Sequence, residues 1–171
     1  MDGMNDQYEI RAIAPSTLKE LRVRDDAGNA PRPVTEDGAG GNPLRCCLGR
    51  SRPGERLALV SYAPLRRWAR ETAAEPGPYN EVGPVFIHPD DCGGWAGGAF
   101  PDSLRGTRRV LRAYSADGSI LGGRLIDAEG TGAELTIEQG LAELYGNPLV
   151  AAVHVRAVEF GCFLVETRRR P

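Results

Sequence analysis

Four cysteines and two histidines are the residues of this chain best suited to chemistry: Cys46, Cys47, His88, Cys92, His154 and Cys162. Thiolates and imidazoles are the preferred ligands of zinc, and a tetrahedral site takes four of them. Six candidates are enough for a closed structural site. They are also enough for three ligands plus a water whose pKa the ion lowers to about 7, the basis of metal-assisted hydrolysis. The spacing His88-x-x-x-Cys92 puts two ligands across a strand end and the turn after it. Neither CxxC nor HExxH spacing occurs. Consecutive strand residues point oppositely, so Cys46 and Cys47 are not expected to share one ion easily.

A thiol-based reading uses Cys162, His154 and Arg156. If the last two strands close through a three-residue loop at 158–160, Arg156 faces Cys162 and His154 faces Leu164. All four then share one face of the sheet. His154 and Cys162 become diagonal neighbours about 7–8 Å apart, within reach of each other's side chains. The imidazole would lower the thiol pKa and shuttle its proton, and Arg156 would hold a carboxylate or an oxyanion. The plainer reading is that free cysteine is a small buried hydrophobe, that a strand histidine is simply hydrogen-bonded, and that Arg156 is exposed.

Other residues weigh toward structure. Lys19 is the only lysine against twenty arginines. Schiff-base chemistry would rest on it alone, and a short exposed helix does little to lower its pKa. Trp95, in the Gly-rich stretch 92–98, is either a lid over a pocket or loop packing. Asp90 and Asp91 offer a carboxylate ligand or a turn cap. Tyr79 and Asn80 read as a cover over the core, and Arg112 with Tyr114 as a half-exposed strand face.

The elements that position these groups follow from periodicity and turn chemistry. Strands are expected at 8–13, 56–62, 84–88, 108–115, 119–126, 149–156 and 161–167. Asp117-Gly118 marks a tight hairpin between the fourth and fifth of these. Thr17 and Glu20 have capping-box spacing for a short helix to about Arg24, and Thr136 with Gln139 opens a clearer one over 137–145. Residues 25–43 read as a long Gly/Pro-rich loop or partly disordered arm, and 168–171 as a basic tail. About seven strands joined mostly directly, with about two helices, imply an α+β fold on an antiparallel or mixed sheet in a single domain spanning 1–171.

Composition excludes more than it selects. The net charge is −2 with both signs scattered, and aromatics make up 6%. That disfavours nucleic acid and offers no basic face to a membrane. No 18-residue apolar run is present and the first eight residues lack a signal-peptide core, so a cytoplasmic location with reduced thiols is expected. Neither a GxGxxG turn nor a P-loop is present, which speaks against a nucleotide site. The excess of arginine over lysine suggests a GC-rich bacterial genome, a setting in which such a domain can serve a biosynthetic pathway.

Read in order, Arg45-Cys46-Cys47, Pro78-Tyr79, the run Gly83 to Phe86, Arg112 to Tyr114, His154 to Arg156 and Gly161 to Phe163 resemble the bacterial domain-of-unknown-function 1203 family over about residues 8–168. The resemblance implies one compact domain and carries no activity, substrate or cofactor. It sets His154, Cys162 and one of Cys46 or Cys47 at family-motif positions, with His88 and Cys92 outside them. Two functions are therefore expected: a small-molecule enzyme with a zinc-assisted or thiol-based Cys/His site, or a non-catalytic binding or accessory protein with structural cysteines.

Overall fold

A computed structural model of the chain describes residues 6–106, 108–127 and 135–171. Among them are eight strands and three α-helices, in the order β1 (Tyr8–Arg11), α1 (Pro15–Leu21), β2 (Arg32–Thr35), β3 (Arg56–Tyr62), α2 (Pro64–Glu71), β4 (Gly83–Ile87), β5 (Arg108–Ser115), β6 (Ile120–Asp127), α3 (Ile137–Tyr145), β7 (Val150–Ala157) and β8 (Phe163–Arg169). Five strands form one antiparallel sheet in the order β1-β8-β7-β5-β6, and three form a second, β2-β3-β4. The fold is α+β, mostly sheet.

The large sheet is covered on both faces because successive strand residues alternate. Val153 and Val155 of β7 pack with Leu111 of β5 beneath α3, whose Ile137, Leu141 and Tyr145 form its buried stripe. Ala152 and Tyr114, on the opposite face, pack against Leu65 and Trp68 of α2. A third cluster joins α1 (Leu18, Leu21) to Leu57 and Val60 of β3, Val85 and Ile87 of β4, and Leu44, Cys46 and Phe163. Cys46 therefore sits at the seam between α1 and the small sheet.

The capping box of α3 is present as expected, with Thr136 and Gln139 satisfying each other's backbone N–H groups. Other details differ from the sequence expectation. α1 starts at Pro15 rather than behind Thr17, since proline at the first helical position needs no donor. Helix α2 breaks no rule, but its apolar residues are few: Leu65 and Trp68 are the large ones in a buried stripe shared with Pro64 and Arg67. Residues 25–43 hold strand β2, and two buried acids pin the segment. Asp25 accepts from the amides of Ala27, Asn29 and Ser61, and Glu36 from Ser51, Asn42 and Gly38. Arg168 and Arg169 are not a free tail but the last residues of β8, Arg168 pairing with Glu71 at 2.5 Å.

The β7–β8 register also differs. Arg156 pairs with Phe163, a bulge follows between Val155 and Arg156, and His154 then faces Glu166, not Leu164. The connection is longer than three residues: the Ala157 amide donates to the Cys162 carbonyl, leaving 158–161 as the loop. A bulge adds one residue to one strand, so it re-aims every side chain beyond it.

Candidate metal centre

A tight loop at 44–49 docks on the edge of β4. Leu44 bridges Phe86, the Arg45 amide donates to the Phe86 carbonyl (3.0 Å), and the Leu44 amide donates to the Gly49 carbonyl (2.9 Å). The buried Arg45 guanidinium fastens the loop from below, donating to the carbonyls of Phe163 (2.8 Å) and Pro43 (2.5 Å). Leu48 takes a left-handed conformation (φ 57°), so the chain reverses directly after the cysteines. Cys46 and Cys47 thus lie in a turn, not a strand, and the opposed orientation expected of them does not apply. Both thiols face His88, two residues beyond Phe86: Nδ1 is 3.4 Å from Cys46 Sγ and 3.9 Å from Cys47 Sγ.

Cys92 is brought back by the turn that follows. Arg22, at the end of α1, holds the carbonyls of His88 (3.1 Å) and Asp90 (2.9 Å), and Asp91 accepts from the Gly93 amide. Gly93 and Gly94 take positive φ of 83° and 73°, which lets the loop curl over the cluster. The ligand atoms of Cys46, Cys47, His88 and Cys92 all lie within 4.8 Å of one another. Around a zinc ion with Zn–S of about 2.3 Å and Zn–N of about 2.1 Å, the edges of a tetrahedron are about 3.6–3.8 Å. The two His88 distances bracket that edge.

The surroundings suit a ligand set. His88 Nε2 lies 2.9 Å from Glu55 Oε1. With Nε2–H donated to that carboxylate, the Nδ1 lone pair is turned to the thiols, the pairing by which carboxylates orient metal-binding imidazoles. The Glu55 carboxyl is held below its ordinary range, first by the Arg52 amide and then by His88. The His88 amide donates to Cys46 Sγ (3.2 Å).

The paired thiols are pushed in opposite directions. Cys47 is lowered to about 5, chiefly by a hydrogen bond from Cys46, against the opposing effect of burial. The Gly49 amide, His88 and the Cys92 thiol assist. Cys46 moves the other way, donating to Cys47 and losing solvent. Burial falls from Cys46, which is buried, to Cys92, which stands at the surface. That gives an ion a route in.

The other candidate residues lie elsewhere. His154 is fully buried, its ring against Tyr114 (4.8 Å) and Phe163 (5.1 Å) and its Nε2 2.9 Å from Glu166. Its Nδ1 has no partner. Cys162 and Arg156 line one cavity of about 570 Å³ with Glu81, Tyr62 and Phe163; His154 is not in that lining. Arg156 donates to the Gly161 carbonyl and pairs with Glu81 at 3.1 Å. Arg112 also pairs with Glu81 (2.8 Å), and Tyr79 is exposed. Asp90 holds the loop through its carbonyl and Asp91 through its carboxylate, outside the four-residue cluster. The sequence reading missed Glu55, Arg45 and Glu166. Glu55 is 33 residues from its histidine and no local spacing marks it.

Among the described residues no helix is long and apolar enough to cross a membrane. No curated protein and no solved structure matches the chain. A family model described as "Protein of unknown function (DUF1203)" matches residues 41–169, a span that holds all four members of the cluster and most of the chain. By that match, the chain belongs to the DUF1203 family.

Proposed function

We propose that the protein binds one zinc ion through Cys46, Cys47, His88 and Cys92. The carrying observation is the convergence of three sulfurs and one imidazole nitrogen within 4.8 Å, with the far side of the imidazole on Glu55. Four protein ligands fill a tetrahedron and leave no open position for water, which makes the ion a structural clamp rather than a hydrolytic centre. It would tie the 44–49 loop to the 88–94 turn. Zinc is favoured over harder ions because three of the four donors are thiolates.

The test is elemental analysis of protein purified without an affinity metal column. We expect close to one zinc per chain, lost in Cys47→Ser and His88→Ala. Glu55→Ala should keep the ion but weaken it about 10- to 100-fold in competition with a chromophoric chelator. Metal-free protein with unchanged folding would sink the proposal.

A second reading, thiol chemistry, draws support from the Cys47 sulfur beside His88 Nδ1 at 3.9 Å. There Cys47 would be the nucleophile and His88 the base, in place of Cys162 and His154. The cavity beside Arg156 and Cys162 supports a separate small-molecule site for an enzyme built on those residues. Alkylation separates the readings. Zinc protects Cys46, Cys47 and Cys92 together, whereas a nucleophile gives one fast-reacting thiol with no metal present.

A further inference from the structure

A cavity of about 340 Å³ lies between α1 and the loop that carries Cys92, within the usual size range of small-molecule sites. Its walls are apolar: Ile13, Pro15, Leu18 and Trp95. Two cations, Lys19 and Arg22, also line it, against a single acid, Asp91. The neighbouring carboxylate of Glu20 is taken by Arg67 and Arg70. Arg22 spends its bonds on the carbonyls of His88 and Asp90, so its charge meets no carboxylate there. Asp91 is engaged by the Gly93 amide.

We propose that this cavity binds a small molecule with an apolar or aromatic body and one carboxylate, the body against Trp95, Leu18 and Ile13 and the carboxylate on Lys19. An apolar wall removes the body from water, and the two cations of the lining outnumber its one acid, Asp91, which favours an anion. The site goes beyond the zinc reading and does not require an ion, although the proposed ligand Cys46 is part of its wall and Asp91, Gly93 and Gly94 flank Cys92.

The experiment is an NMR titration of ¹⁵N-labelled protein with 2-naphthoate, using 2-naphthylmethanol as the uncharged counterpart. The chain has two tryptophans, and Trp68, buried on α2 and outside this cavity's lining, serves as an internal control. We expect saturable shifts of the Trp95 indole N–H and of the Gly93 and Gly94 amides, with Trp68 unmoved. Lys19→Met should weaken naphthoate about tenfold and leave the alcohol unchanged. Unmoved Trp95, or equal naphthoate affinity in Lys19→Met, overturns the proposal. Zinc content is measured in every sample, so a protein that holds zinc and ignores naphthoate overturns the cavity reading alone.

Discussion

Replacing Cys92 by serine is expected to lower the melting temperature of the metal-loaded protein by about 10 °C. The exposed thiol itself contributes little packing, and a surface substitution without other function stays within about 0.5 kcal/mol. A ligand at a thousandfold excess over its dissociation constant stabilises the native state by about 4 kcal/mol. In a domain of this size each kcal/mol is worth about 2–4 °C. The chelator-treated parent should melt where Cys92→Ser melts, and adding chelator to the variant should change nothing further. The comparison separates metal loss from packing loss, because Cys46→Ser would remove a buried side chain as well as a ligand. Identical melting of parent and variant, with and without chelator, removes the clamp.

The second large effect is expected at Glu166, far from the cluster. Its carboxylate is buried and accepts from His154 Nε2 (2.9 Å) and Arg168 Nε (2.5 Å). Removing one member of a buried charged network leaves the others uncompensated, so Glu166→Ala should cost about 3–5 kcal/mol in urea unfolding at pH 7. Burial alone would raise the carboxyl's pKa; the hydrogen bond from His154 and the charges of His154 and Arg168 outweigh it and hold it below 4.5. A carboxyl depressed on folding contributes stability that is complete above its unfolded pKa and fades as pH falls through its folded one. The gap between the parent and Glu166→Gln should therefore narrow as pH falls below about 4.5. A Glu166→Ala loss under 1 kcal/mol would show that the pair is not what holds β7 to β8 at this point.

Much of the scaffold was legible locally. The Thr136–Gln139 box, the Asp117-Gly118 turn and the apolar run of β3 each encode their own geometry through bonds and contacts a few residues apart. Helix α2 was not read because Leu65 and Trp68 make a stripe too short to show a period, and its stability comes from packing on Tyr114 and Ala152. The loop at 25–43 looked unstructured because Asp25 and Glu36 look like ordinary loop acids until their amide and hydroxyl partners are in place.

The sequence by itself determined the α+β class and the inventory of metal-binding side chains, because residue types and short spacings are local properties. Only the tertiary structure decided which of those side chains meet. A loop one residue longer than expected and one bulge in β7–β8 together put His154 opposite Glu166 instead of Leu164. One backbone bond from Arg45 to Phe86 brought Cys46 and Cys47 to a histidine about 40 residues away. Both outcomes depend on strand register and loop docking, which the core as a whole fixes and no short segment can specify.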